Sequence, residues 1–93
     1  MHYTYVLYSE KDGEWYTGAT SDLKSRVREH AEGLVRSTQH RRPVALVYYE
    51  GCLHRDDAYR RERYLKTGRG KRYLRQRLAR WRQSLRPDKL ERR

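Results

Sequence analysis

Phenylalanine is absent from this chain of 93 residues, so its core has to be built from Leu, Val, Ala, Tyr and Trp. The single cysteine, Cys52, excludes an internal disulfide and fits a reducing compartment. Apolar runs long enough to span a membrane are missing, and the N-terminus has no apolar signal core. These absences predict a cytoplasmic protein without membrane insertion. The length of the chain predicts one domain over residues 1–85, followed by a disordered basic tail over residues 86–93.

Acidic residues are also few, since 12 Asp and Glu stand against 23 Lys and Arg and leave a net charge of +11. A charge of this size acts on association rather than on fold. The polyanions it would attract are DNA, RNA or an anionic membrane surface. Arginine suits phosphate, and the nine tyrosines and two tryptophans offer faces on which bases can stack. We therefore predict a DNA-binding monomer, with RNA as an alternative partner. The other alternative is that the basic residues form a solvated face that keeps the protein soluble and binds no nucleic acid.

Two aromatic segments near the N-terminus predict a β-hairpin, with strands over residues 3–8 and 15–18 joined by a loop that contains an Asp-Gly turn. If Leu7 lies opposite Tyr16, then Tyr5 is a diagonal neighbour of Tyr16 on the same face of the hairpin. A slip of one residue would move the two tyrosines to opposite faces. A site that uses both tyrosines therefore requires this register. The alternative is that they fill a core without phenylalanine.

A first helix, capped by Ser21 or Asp22, is predicted to run to about residue 32. At 100° per residue His30 falls within the apolar stripe, and Arg26 lies about 60° to one side. The two side chains are neighbours because residues four apart meet on a helix surface. Arginine can hold phosphate oxygens and histidine can relay a proton. The alternatives are a buried packing histidine and a solvated cation.

The C-terminal half of the chain predicts one strand and two helices. Residues 44–50 are the most apolar run and predict a central strand. A second helix, capped by Asp56 or Asp57, is predicted to end at a break made by Gly68 and Gly70. A third helix is predicted over about residues 71–85.

Glu62 lies on the apolar stripe of the second helix, where a carboxylate needs a partner because buried charge is costly. A hard divalent cation such as Mg²⁺ takes oxygen ligands and keeps several waters, so Glu62 is a candidate metal ligand. A salt bridge to one of the many arginines is the alternative. The spacing of Cys52 from the histidines fits no structural zinc pattern.

Two basic segments offer hydrogen-bond donors to a phosphate backbone, one before Pro43 and one at the break between the second and third helices. The residues predicted to contact nucleic acid are Arg36, Ser37, Thr38, His40, Arg41, Arg42, Lys66, Arg69, Lys71 and Arg72.

Together these features resemble the GIY-YIG nuclease superfamily, in its small stand-alone bacterial type (UPF0213-like). Tyr3-Thr4-Tyr5 stands where the family has Gly-Ile-Tyr, and Tyr16-Thr17-Gly18 where it has Tyr-Ile-Gly. The resemblance extends to about residue 78 and includes Arg26, His30 and Glu62. It implies a mixed α/β (α+β) fold, with a small three-stranded antiparallel sheet flanked by about three helices. It also implies a DNA endonuclease that uses one Mg²⁺ or Mn²⁺ ion per site.

The same resemblance implies a role for each site residue. Tyr5 would be the general base or would position the water, and Tyr16 would assist through its hydroxyl. Arg26 would hold the scissile phosphate, His30 would relay the proton and Glu62 would bind the metal. Because larger members attach a separate recognition domain, this chain is expected to select DNA structure or single strands rather than sequence. Repair is one of several pathways left open.

Two departures keep other functions open. The first motif is altered, and the chain has no asparagine where larger relatives often carry one near the site. A non-catalytic nucleic-acid-binding module on the same fold is therefore an alternative. Another is a basic protein that docks on a partner through the third helix, with Tyr64 and Trp81 on the contact face.

Overall fold

A computed structural model of the chain describes residues 1–85. The tail predicted over residues 86–93 lies outside the described residues. The chain divides into two compact units, the first formed by Met1–Arg63 and the second beginning at Tyr64. A single domain over residues 1–85 stays a prediction.

A three-stranded antiparallel sheet forms the centre of the first unit. Its strands are β1 (His2–Ser9), β2 (Trp15–Thr20) and β3 (Val44–Cys52), in the order β2-β1-β3. The strand predicted over residues 44–50 exists, but its predicted central position is wrong, because β3 lies at an edge and has no fully buried residue. Strand β1 is central because it pairs on both sides and is packed on both faces.

The predicted register of the hairpin is confirmed. Leu7 lies opposite Tyr16, and Tyr5 lies opposite Gly18. The turn includes Gly13 with φ of +73°, a conformation that favours glycine. Tyr5 and Tyr16 therefore share one face of the sheet.

The first helix, α1, covers Leu23–Ala31 and begins as predicted, since the Asp22 side chain accepts a hydrogen bond from the Ser25 amide at 3.1 Å. A turn of 3₁₀ helix follows at Gln39–Arg41. Helix α2 covers Arg55–Leu65. It starts before the predicted caps, so that Asp56 and Asp57 lie in its first turn rather than at its N-cap.

The predicted third helix is divided into two, α3 (Gly68–Arg77) and α4 (Ala79–Ser84), with an interruption at Leu78. The predicted break between the second and third helices exists, but it lies at Lys66 and Thr67 rather than at Gly68 and Gly70, which are in the first turn of α3. Helix α3 begins there because the Thr67 hydroxyl caps it, accepting from the Gly70 amide at 3.1 Å. A side chain at Gly70 would collide with the backbone of Tyr64 and Leu65.

The core of the first unit is small and partly polar. Tyr5, Val6 and Leu7 are buried along β1, and α2 contributes Ala58. The buried Thr4 hydroxyl donates to the Ala58 carbonyl at 2.9 Å, which ties α2 to the second face of β1. Within residues 1–85 no helix combines the length and apolar character needed to cross a membrane.

Candidate active site

Three predicted catalytic side chains meet on the face of the sheet that α1 covers. The Tyr5 hydroxyl lies 2.8 Å from His30 Nε2. The ring centroid of Tyr16 is 6.5 Å from that of Tyr5 and 5.2 Å from that of His30. The hairpin register and the helix that follows it therefore bring together residues that are 25 positions apart in sequence.

Gly18 makes room for the Tyr5 side chain. A Cβ atom at this position would lie 2.5 Å from the Tyr5 hydroxyl oxygen and 2.6 Å from its Cζ, far inside contact distance. Because Tyr5 is 1% exposed, its ring has no space into which it can move. The glycine that follows Tyr16-Thr17 therefore makes the space that the buried Tyr5 side chain occupies.

Gly18→Ala should destabilise the protein by about 1–3 kcal/mol, the usual cost of forcing extra volume into a packed site. If Tyr5 acts in DNA cleavage, as the family resemblance implies, the variant should also cleave DNA more slowly, because the Tyr5 hydroxyl must leave its position. The matched control is Gly68→Ala, where a Cβ meets nothing within 4 Å and alanine is the better helix former. Urea unfolding of both variants checks the prediction, and equal stabilities would show that the Tyr5 ring can move.

His30 lies completely buried beneath the two tyrosines and has a partner on each ring nitrogen. Its Nε2 contacts Tyr5, and its Nδ1 lies 2.7 Å from the hydroxyl of Thr38. Burial, aided by the positive charge of Arg26, lowers the pKa of His30 to about 4, although Glu29 opposes the shift. At neutral pH His30 is therefore an uncharged imidazole that can accept a proton on one nitrogen.

The guanidinium of Arg26 lies close enough to the Tyr5 hydroxyl to lower its pKa, and a guanidinium can only donate. The two hydrogen bonds of His30 run in opposite directions in its two neutral tautomers, because one ring nitrogen donates and the other accepts. In the tautomer protonated at Nδ1, Tyr5 donates to Nε2 and Nδ1 donates to Thr38.

Tyr5 holds its proton firmly in the free protein. Burial is the largest cause and raises the pKa of Tyr5 to about 12, and the nearby Tyr16 and Glu62 act in the same direction. The hydrogen bond and charge of Arg26 lower this pKa, but burial dominates. Arg26 alone therefore does not ionise Tyr5 at neutral pH, and the proton stays on the phenol rather than on His30.

Lowering the pH should destabilise the protein through His30. Its pKa is about 4 in the folded chain against an ordinary value of 6.5. The unfolded chain therefore takes up the proton first, so stability is complete above about pH 6.5 and falls as the pH drops through about 4. This loss reaches about 3 kcal/mol.

Urea unfolding between about pH 4 and pH 7 measures this effect. His30→Gln removes the titrating group, so the stability of this variant should fall less steeply than that of the wild type. His40→Gln, which alters an exposed imidazole, should follow the wild-type slope. Parallel curves for His30→Gln and the wild type would mean that His30 has the same pKa in the folded and the unfolded chain, so that burial does not lower it.

Arg26 lies at the edge of the cluster, with its side chain 38% exposed, and is paired with Glu29 at 2.9 Å. The contact with Glu29 is the main reason that the pKa of Arg26 is raised, so the guanidinium remains charged. A phosphate arriving at Arg26 competes with this carboxylate. Glu29 was not predicted as part of the site, although its spacing of three residues from Arg26 is typical of helix pairs.

Glu62 lies on α2 within electrostatic range of the cluster, since its charge raises the pKa of Tyr5. Among residues 1–85 no group of three or more His, Cys, Asp or Glu side chains could hold a metal ion. A site with one carboxylate still fits Mg²⁺, which keeps several waters and takes further oxygens from substrate phosphates. The neighbouring Arg61 is engaged by Glu50 at 3.0 Å.

Thr38 was predicted to contact nucleic acid, and the structure corrects this expectation. Its side chain is completely buried and its hydroxyl contacts His30 Nδ1, so it lies beneath the surface that a polyanion could reach. Its position orients the imidazole instead. No feature of the sequence indicated this contact, because it depends on how the loop after α1 folds back.

The remaining residues predicted in the basic loop lie at the surface, and some have partners. Arg41 is paired with Asp12 at 2.7 Å, and this hydrogen bond is the main cause that lowers the pKa of Asp12 to about 2. Arg42 donates to the Gln39 carbonyl at 3.1 Å. Arg36, Ser37 and His40 are exposed.

The second predicted basic segment belongs to the second unit. Its predicted contact residues Lys66, Arg69, Lys71 and Arg72 are all exposed. Contact of either segment with nucleic acid stays a prediction.

The hairpin, α1 and α2 bring a buried tyrosine, a histidine, an arginine and a carboxylate into one region of the first unit. The sequence model of the GIY-YIG catalytic domain matches residues 1–74, so this chain belongs to the GIY-YIG family. This match confirms the resemblance shown by the two tyrosine motifs.

Several bacterial UPF0213 proteins are similar to this chain. One from Staphylococcus haemolyticus is 40% identical over 67 residues, which are 71% of this chain and 80% of that protein. Another from Clostridium perfringens is 40% identical over 67 residues and 71% of each chain. The solution NMR structure of a UPF0213 protein from Bacillus halodurans covers 78% of this chain and 80% of its own, with 38% identity and a TM-score of 0.48.

Proposed function

We propose that this protein is a metal-dependent endonuclease that hydrolyses phosphodiester bonds in DNA. The observation that carries the proposal is the hydrogen-bonded series of Tyr5, His30 and Thr38, with the charges of Arg26 and Glu62 close to Tyr5. Arg26, a cation that can bind phosphate, therefore lies beside the Tyr5 hydroxyl, and His30 is within hydrogen-bond distance to take the proton of that hydroxyl. The match to the GIY-YIG catalytic domain supports the same reaction class.

Arg26 is the group that binds the scissile phosphate. Its guanidinium is charged, partly exposed and already directed at the Tyr5 hydroxyl. A phosphate that replaces Glu29 as its partner is held beside Tyr5 by charge-assisted hydrogen bonds. The same cation stabilises the negative charge that develops on the phosphate in the transition state.

Tyr5 orients or deprotonates the attacking water, and His30 takes the proton that Tyr5 gives up. The Tyr5 hydroxyl lies 2.8 Å from His30 Nε2 in the free protein. In the tautomer that we propose, Nδ1 carries the proton and donates to Thr38, which leaves Nε2 able to accept the proton of Tyr5. Tyr16 lies against both rings, where its hydroxyl assists at the open side of the cluster.

Glu62 would hold one Mg²⁺ or Mn²⁺ ion. A bound ion lowers the pKa of its water and stabilises the leaving oxygen. Its positive charge also acts against the effect of burial on Tyr5 and favours the phenolate. The high pKa of Tyr5 in the free protein is therefore compatible with catalysis only in the loaded site.

The substrate selectivity that we propose is for DNA structure or single strands. The net charge of +11 supplies binding to phosphates without reference to sequence. RNA is the alternative nucleic acid. We propose that the protein acts as a monomer in the cytoplasm.

A non-catalytic nucleic-acid-binding module is the second candidate. Two observations favour it, namely the raised pKa of Tyr5 and the lack, among residues 1–85, of a group of three or more side chains that could hold a metal ion. Such a module would bind DNA with steep salt dependence and leave it uncut in every metal.

One experiment separates the two candidates. Purified protein is incubated with end-labelled single-stranded, duplex, flapped and four-way DNA, in Mg²⁺, Mn²⁺ or EDTA. We expect cuts that require metal, and the preferred substrate then identifies the selectivity. DNA that is shifted in a gel but intact in every lane would establish the binding module.

A further inference from the structure

A polar cavity lies in the first unit, apart from the cluster around Tyr5. It has a volume of about 280 Å³. It is lined mainly by His2 of β1, by Thr20 and Ser21 at the end of β2, and by Arg55 and Tyr59 of α2. No residue of the proposed catalytic set lines it, so it has a separate role to explain.

Arg55 is held in position without a counter-charge. Its guanidinium carbon lies 5.6 Å from the centroid of the Tyr59 ring, within cation–π range. Within residues 1–85 Arg55 forms no ion pair, in contrast to the four arginines that are paired with carboxylates. The charge is therefore oriented by an aromatic face and still able to bind an anion.

The other groups around the cavity suit an anion of the size of a phosphate. Ser21 is exposed and its hydroxyl can donate, and His2 also lines the cavity. Two acidic groups near the cavity have partners of their own. Asp57 is paired with Arg60 at 2.5 Å, and the Asp22 carboxylate caps α1.

The cavity lies along the same helical stripe as Glu62. Arg55, Tyr59 and Glu62 are spaced by four and three residues, so they lie on one side of α2. Seven residues of helix separate Arg55 from Glu62 by about 10 Å. This distance is short enough for two nearby phosphates of one strand to lie at Glu62 and at Arg55.

We propose that this cavity binds a backbone phosphate of the substrate strand, a few nucleotides from the bond that is cut. This inference rests on the proposed nuclease function. Arg55 supplies the charge, Tyr59 fixes its direction and Ser21 adds a hydroxyl donor. The site would set where a strand lies relative to Glu62 and how far it must extend beyond the cleavage point.

The first test measures binding in EDTA, where no cleavage occurs. Arg55→Gln should weaken binding of labelled single-stranded DNA about fivefold. It should also reduce the slope of log affinity against log salt by about 0.7, the contribution of one phosphate contact. Arg28→Gln, which removes an exposed arginine of α1 outside both sites, should leave the slope unchanged. Equal slopes for Arg55→Gln and the wild type would overturn the proposal.

The second test locates the phosphate. A series of oligonucleotides carries one uncharged methylphosphonate at each position in turn. With the wild type, one position a few nucleotides from the cut should lose affinity, and with Arg55→Gln that position should lose its effect. If only removal of a 5′-terminal phosphate abolishes the dependence on Arg55, the cavity recognises strand ends and the internal-phosphate proposal is wrong.

These measurements separate the inference from the proposed function. Binding that depends on Arg55 in a protein that never cuts DNA would support the cavity and refute the nuclease. Cleavage that is unaffected by Arg55→Gln, with unchanged salt dependence, would refute the cavity and leave the nuclease intact. A wild type that binds no DNA would overturn both.

Discussion

Tyr5→Phe should lower the rate of DNA cleavage by about 10²- to 10⁴-fold, the range that one proton-transferring group contributes. The substitution removes one oxygen atom and keeps the ring seated over Gly18. His30 Nε2 then loses the hydroxyl partner that lies 2.8 Å away, and Arg26 loses the oxygen close to its guanidinium. The loss should appear in the chemical step rather than in DNA binding.

Single-turnover cleavage with saturating protein measures that step directly. Stability should fall by only about 1 kcal/mol, the usual worth of a buried hydrogen bond, and urea unfolding checks that the fold survives. The matched control is Tyr49→Phe, because Tyr49 lies opposite Tyr5 in β3 but is 54% exposed. If Tyr5→Phe cleaves as fast as Tyr49→Phe, the Tyr5 hydroxyl has no part in the chemistry.

Glu62→Gln should abolish metal-dependent cleavage, with a loss of about 10³-fold or more, because a bound metal ion supplies several kcal/mol of transition-state stabilisation. Glutamine keeps the size and shape of the side chain and removes its charge. Affinity for DNA in EDTA should stay the same or increase slightly, since a negative charge near the phosphate is removed. This variant should therefore lose DNA cleavage while it keeps DNA binding.

A readout other than activity is available for Glu62. Its charge contributes to the raised pKa of Tyr5, so Glu62→Gln should move that pKa downward in the metal-free protein. Ultraviolet titration of tyrosine in the wild type and the variant measures the change. Glu14→Gln, at an exposed position in the hairpin loop, is the control for both measurements. Full cleavage by Glu62→Gln would remove Glu62 as the metal ligand.

Much of the first unit follows from local sequence patterns. Alternation of aromatic and polar residues predicted the hairpin, and the side-chain preferences at Asp22 predicted the start of α1. Helical periodicity placed His30 among buried residues, where the structure has it. These features are set by short-range geometry, so a single sequence contains enough information for them.

The errors in the fold arise where long-range packing decides. Residues 44–50 are apolar enough for a central strand, yet β1 is central because the hairpin and the returning β3 pair with its two edges. Gly68 and Gly70 suggested a helix break, yet α3 begins there because Thr67 caps it and Gly70 fits against the backbone of Leu65. Neither the strand order nor this close approach is visible in local composition.

The sequence by itself determined the family, the hairpin, the start of α1 and the presence of a tyrosine, an arginine, a histidine and a carboxylate in a specific order. Their order in the chain fixes which side chains can meet, because strand and helix periods are constant. Only the tertiary structure decided how they interact. It buried Tyr5 and His30, raising one pKa and lowering the other, and it brought Thr38 beneath the imidazole. Burial and hydrogen-bond direction depend on every surrounding element at once, and for that reason they appear only in the folded chain.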